Sequence, residues 1–303
     1  MKTSQTRLAA SARGPALVRA ALSALVLGAA GLASLPGCST SEDADPTCKP
    51  GPSQAYVITA LGFTRESSKG VVPGFDLDRR VSPVDDQATC GKPDLVSPDG
   101  TPGIDNQLAL LIPDVEKIVG NAIDGIIQGA INDGRLLIAF DLANVNDSRE
   151  DACVDMEVKL LDGKPSLGTD GAVEAFQTFE LRKQGQVLSP AQGGKISKGT
   201  FTIGPFPLRI PIAIFDVSFT MYLRDALVRF TLDEDGNAEG VLGGGVSIEE
   251  IAEGVKGGAG VARLIPQIKL IGRAAADLGR DEEGTCQLVS AALSFKAKPA
   301  FVR

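Results

Sequence analysis

Between residues 76 and 105 the chain carries seven aspartates: Asp76, Asp78, Asp85, Asp86, Asp94, Asp99 and Asp105. Asn106 follows, and the span holds no glutamate. Short carboxylates spaced by glycine-bearing turns suit a hard cation. Calcium takes about six to eight oxygen ligands, and a short Asp stem lets one loop wrap closely round it. These eight side chains are therefore the candidate metal ligands, with calcium as the candidate cofactor. Two carboxylates drawn from Asp76, Asp78, Asp99 and Asp105 could equally serve as an acid–base pair in a hydrolase. A solvated loop, in which Asp serves turns and caps, explains the same composition. A second acidic run, from Asn146 to Asp155, contains Asp147, Glu150, Asp151 and Asp155.

The other side chains narrow the chemistry. The chain has no histidine. That removes Ser-His-Asp and Cys-His catalysis, His-ligated metals and the usual general base near neutral pH. It also has no tryptophan and two tyrosines, Tyr56 and Tyr222, so it offers few rings for a sugar to stack on. An enzyme is therefore less expected than a binding or structural protein. The acidic run is similar in a general way to Asp/Asn-Gly calcium loops of secreted proteins, but its spacing is not that of an EF-hand.

The first 37 residues hold Lys2, Arg7, Arg13 and Arg19 and no acid, and Ala20 to Leu35 are all apolar or small. A basic start, a short apolar stretch and small residues at its end describe an export signal. It closes in Leu35-Pro36-Gly37-Cys38. This resembles the lipobox of bacterial lipoproteins, with Pro36 where Ala or Ser is usual. The resemblance implies lipid on the Cys38 sulfur, cleavage before Cys38 and a membrane-anchored, exported protein. Ser39 after the cysteine favours the outer membrane by the same analogy. Residues 38–54 read as a flexible tether.

Removing four basic residues and no acidic ones from 30 and 38 leaves a mature chain at about −12. Nucleic-acid binding is driven by basic residues, so it is not expected. The membrane is reached through Cys38, and a protein or an apolar small molecule is the remaining kind of partner. Once Cys38 is acylated, Cys48, Cys90, Cys153 and Cys286 remain, which in an oxidising compartment predicts two disulfides. Three pairings are open. The acidic surroundings of Cys90 and Cys153 favour joining those two, which leaves Cys48 with Cys286.

Residues 55–303 are expected to form one α+β domain, mainly antiparallel and sandwich-like, that positions the acidic loop at 64–107. Strands are predicted at Ala55–Phe63, Arg135–Leu142, Cys153–Leu161, Val173–Leu181, Thr200–Ile203, Leu208–Phe215, Asp216–Leu223, Ala226–Asp233 and Cys286–Phe295. The period-two alternation in 154–160 and 217–223 indicates one wet face. Pro113–Ile131 has the 3–4 spacing of an amphipathic helix, with Pro113 in its first turn. Gly120, Gly125 and Gly129 suggest close packing or plasticity there. Gly243-Gly244-Gly245 reads as a turn before a short helix capped by Ser247 and Glu250. A further helix is expected near Val261–Leu278.

Three functions fit these features. The first is a structural or interaction lipoprotein of the envelope, stabilised by disulfides and calcium. The second is a carrier or sensor of an apolar ligand, walled by the 113–131 helix and the apolar run Phe201–Phe219. The third is the carboxylate hydrolase.

Overall fold

The computed structural model describes residues 48–119, 123–182, 187–214, 217–258 and 262–303. Residues 1–37, Cys38 and the tether to residue 47 lie outside the described residues. The described residues belong to one compact unit. Its elements, in order, are β1 (Gln54–Phe63), β2 (Leu95–Val96), β3 (Pro102–Ile104), α1 (Gln107–Val119) and α2 (Ile123–Asn132). Then come β4 (Leu137–Ala143), β5 (Glu150–Asp162), β6 (Gln177–Leu181), β7 (Val187–Ser197), β8 (Thr200–Ile214) and β9 (Val217–Leu232). The chain ends with β10 (Ala238–Ser247), α3 (Ile248–Gly254), α4 (Ile265–Ala275), β11 (Leu278–Arg280) and β12 (Cys286–Val302).

Eight strands pair antiparallel in the order β1-β4-β5-β7-β8-β9-β10-β12, and β12 returns to β1. The result is a closed up-and-down barrel, not a sandwich. Closure rests on the length of β12. Its residues Leu288–Ala297 pair with β10 and Leu293–Ala300 with β1, so one strand joins both sides. Alternation in sequence tells which residues face a core but not whether the sheet closes, and closure removes edge strands that would otherwise need protection.

β1 and β10 both lie antiparallel to β12, so they run the same way and finish at the same end of the barrel. The two helical crossovers, one from β1 to β4 and one from β10 to β12, therefore both emerge at that end. The opposite end is filled by aromatic rings. Phe140 lies 5.1 Å from Phe295 edge-on, and Phe201 lies 4.9 Å from Phe230. All four are at most 2% exposed. Burying each ring contributes about 1.5–3 kcal/mol.

Several expectations are corrected. The predicted 113–131 helix is two helices, and α1 begins six residues earlier, so Pro113 lies inside it. The start was missed because the cap is Asn106, whose Oδ1 accepts from the Ala109 N–H at 3.3 Å. A Cβ on Gly125 or Gly129 would meet nothing within 4 Å, so neither marks close packing. Gly243–Gly245 belong to strand β10 and form no turn. A Cβ on Gly243 would come within 2.9 Å of the Ala291 carbonyl, and one on Gly244 within 2.7 Å of that of Arg224. Strands predicted as pairs at 200–215 and 216–233 are single long strands, β8 and β9, with register shifts near Phe206 absorbing the Gly204-Pro205 break. Strand β7 was not anticipated, since Pro190, Gly193 and Gly194 hide its pattern. The predicted strand 173–181 shrinks to β6. Ser247 does cap α3, accepting from the Glu250 N–H at 3.4 Å, and Pro266 sits at the start of α4.

The disulfides join Cys48 to Cys153 and Cys90 to Cys286, with Cα separations of 5.4 and 6.1 Å. This replaces the pairing favoured from composition. Topology decides it. The chain entering β1 passes the β4–β5 hairpin, where Asn146 Nδ2 donates to the Lys49 carbonyl at 3.0 Å, so Cys48 arrives beside Cys153. Such bonds form and persist in oxidising, exported settings. Among the described residues no helix is long and apolar enough to cross a membrane.

Candidate functional site

The acidic loop gathers part of the predicted ligand set. Carboxylate oxygens of Asp76, Asp78 and Asp105 lie within 4.8 Å of one another, a group that could hold a metal ion. The Phe75–Asp105 bridge brings the two halves of the loop together. Asp105 is 2% exposed, and its Oδ2 accepts from the Leu77 N–H at 2.6 Å and the Asp78 N–H at 3.2 Å. Burial, with the charges of Asp78, Asp94 and Asp277 adding to it, pushes its pKa up to about 8 against the Leu77 hydrogen bond. Asp78 is also raised, first by burial, and its Oδ1 is buried with no hydrogen-bond partner. Asp76 Oδ1 accepts from the Arg80 N–H at 3.0 Å. A cation among these oxygens would offset the desolvation that now drives Asp78 and Asp105 toward the neutral form.

The other predicted ligands do different work. Asp94 lies near the group and is raised by burial, but its Oδ2 holds the Ser82 N–H at 2.6 Å. Asp86 caps the turn at Gln87–Thr89 and pairs with Arg80 at 2.9 Å. Asp99 is exposed and closes the β2–β3 turn, accepting from the Ser97 hydroxyl and from the Thr101 N–H at 3.0 Å. The Ser97 hydroxyl leads in lowering its pKa to about 2. Asp85 is exposed at a positive φ of 71° and outside the group. Asn106 is fully buried, and its amide donates to Thr64 at 2.6 Å and to the Pro73 carbonyl at 2.9 Å. Asp85, Asp86, Asp99 and Asn106 are thus turn, cap and packing residues. The hydrolase pairings that used Asp99 lose that partner. The second acidic run does not join the first. Asp151 accepts from the Asn146, Asp147 and Cys153 N–H groups of its own turn.

A second buried carboxylate joins the helices to the barrel. Asp277 follows α4 and is 2% exposed. It accepts from the Ser290 N–H at 2.8 Å and the Ser290 hydroxyl at 2.6 Å. Ser290 Oγ in turn accepts from the Gln107 N–H, the first residue of α1, at 2.8 Å. The start of α1 and the end of α4 are thereby pinned to one point on β12. Burial raises Asp277 to about 7 against the Ser290 bonds.

At the helical end of the barrel lies an apolar cavity of about 250 Å³. Leu61 of β1, Met221 of β9 and Leu293 of β12 form its floor. Leu111 and Val115 of α1, Ile127 of α2, Ile251 of α3 and Ile268 of α4 form its walls. The stretch 113–131 and the run 201–219 both reach it, through Val115, Ile127, Ile212 and Phe219. Phe201 does not; it belongs to the aromatic cluster at the far end. The contribution of α3 and α4 was missed. The apolar spacing of Ile248, Ile251 and Val255, and of Leu264, Ile268 and Ile271, was the available signal.

No protein-family model, curated protein or solved structure matches this chain.

Proposed function

We propose that this protein is a lipid-anchored carrier or sensor of an apolar ligand, held to a membrane through Cys38, which binds that ligand in the cavity at the helical end of the barrel. The cavity carries the reading. About 250 Å³ of apolar-lined space is left unfilled and partly open to solvent, so its walls forgo dispersion contacts and expose hydrocarbon to water. Filling the space with hydrocarbon recovers that loss. A cavity of about 150 Å³ binds benzene, so this one takes about ten carbons. At about 0.8 kcal/mol per methylene, less the cost of association, affinity falls in the micromolar to millimolar range.

The test uses Asp45–Arg303, which contains the whole barrel and both disulfides. Titration with decanol, followed by calorimetry, should give one saturable site. Leu111→Trp fills the cavity and should abolish the binding while the melting point holds or rises. Absence of saturable decanol binding in the unmutated chain refutes the reading.

Calcium at Asp76, Asp78 and Asp105 is a second, compatible proposal, favoured by the unpartnered Asp78 Oδ1. Three carboxylates supply part of the six to eight oxygens calcium needs; carbonyls and water would supply the rest. Millimolar calcium should raise the melting point over that in EDTA, and Asp78→Asn should remove the difference. Equal midpoints in the unmutated chain rule calcium out.

A further inference from the structure

Resting on the apolar-ligand reading above, the rim of the cavity specifies the other end of the ligand. Gln267 of α4 is the polar side chain among the cavity's lining residues. Its amide is placed to donate to the carbonyls of Leu264 at 3.1 Å and Arg263 at 3.2 Å. Its donors are therefore taken up within α4 and its approach, and every other lining side chain is apolar, so the cavity offers a polar head no free side-chain donor inside. Leaving such a head unpaired in an apolar space costs several kcal/mol, so it must stay at the rim.

The rim charges are nearly all neutralised in pairs. On α1, Asp114 pairs with Lys117 at 2.7 Å, and Glu116 with Arg65 at 2.5 Å. Asp124 of α2 shares Arg65 at 2.6 Å. On α3, Glu249 takes both Lys269 and Arg273 of α4, and Glu250 takes Arg224 at 2.5 Å. Glu253 pairs with Lys256 at 3.3 Å. Among the described residues of these helices and the links between them, that leaves Arg263 as the cation with no carboxylate partner. It is exposed, and the next residue, Leu264, lines the cavity. In a chain of net charge −8, an uncompensated guanidinium beside an apolar opening is a docking point for an anion. Its fork of donors matches a carboxylate or a phosphate.

We infer that the ligand is an anionic single-chain amphiphile of about ten carbons, its tail in the cavity and its head on Arg263. Fatty carboxylates and alkyl phosphates share this chemistry. The experiment titrates Asp45–Arg303 with decanoate, decyl phosphate, decanol and decyltrimethylammonium. An exposed ion pair is worth a few-fold in affinity, so at least one anion should bind about 3- to 5-fold tighter than decanol, and the cation more weakly. The better of the two anions names the head. Arg263→Gln should erase the anion's advantage and leave decanol binding unchanged; added salt should do the same to the unmutated chain. Two results overturn the head assignment while leaving the apolar-ligand reading intact. One is decanol binding at least as tightly as both anions. The other is Arg263→Gln weakening decanol and the anions equally. Failure of all four probes overturns the apolar-ligand reading itself.

Discussion

Replacing Asp277 by Asn should change how stability depends on pH more than stability itself. Asp277 is 2% exposed, and burial raises its pKa from 3.8 to about 7. A carboxyl with a higher pKa when folded holds its proton more tightly in the folded chain than in the unfolded one. Its contribution is therefore most favourable below pH 4. Stability then falls as pH rises from about 4 toward 7, and the full penalty is present above 7. At about 1.4 kcal/mol per pH unit, that interval integrates to about 4 kcal/mol. Asn keeps an acceptor for the Ser290 N–H but cannot ionise. At pH 4.5 the variant should be equal or slightly weaker, by about 1 kcal/mol for a remade Ser290 hydroxyl bond. At pH 8 it should be more stable than the unmutated chain. The measurement is urea unfolding at several pH values, in EDTA so that no cation holds the neighbouring carboxylates ionised. Asp94 and Asp105 titrate in both proteins, and the charge of Asp277 raises Asp105, so the difference between the two curves reports Asp277 together with its coupling to that neighbour. Parallel curves from pH 4.5 to 8 would refute the argument.

Two further outcomes test the fold. Peptide mapping without reduction should recover Cys48 linked to Cys153 and Cys90 linked to Cys286, and removing the first pair by Cys48→Ser with Cys153→Ser should cost about 2–5 kcal/mol in chemical unfolding. A Cys90–Cys153 peptide would contradict the topology. Gly240→Ala should prevent stable folding or lower the melting point by more than 10 °C. Its Cβ would lie 2.2 Å from the Arg229 carbonyl and 2.4 Å from Phe230 Cβ, deep between β9 and β10. A melting point within 2 °C of the unmutated chain would show that β10 does not approach β9 so closely.

The sequence by itself determined the kinds of element and the chemistry that was missing. Period-two alternation at 154–160 and 217–223 announced antiparallel strands, because each strand shows one face to a core and one to water. The Ser247–Glu250 cap announced α3 for an equally local reason. The absence of histidine is a fact of composition that no folding can alter. The count of cysteines likewise gave two disulfides, but not their partners, because partnership depends on which chain segments pass each other in space. Tertiary structure decided that Cys48 lies beside the β4–β5 hairpin. It also sorted the acidic loop, bringing Asp76, Asp78 and Asp105 together while Asp86, Asp99 and Asn106 went to caps and turns. In sequence these carboxylates are chemically alike; only burial and neighbours separate them. Above all, closure of the barrel by β12 sent both helical crossovers out at one end. The apolar cavity exists because β1 and β10 finish there together, and no local pattern of residues encodes that meeting.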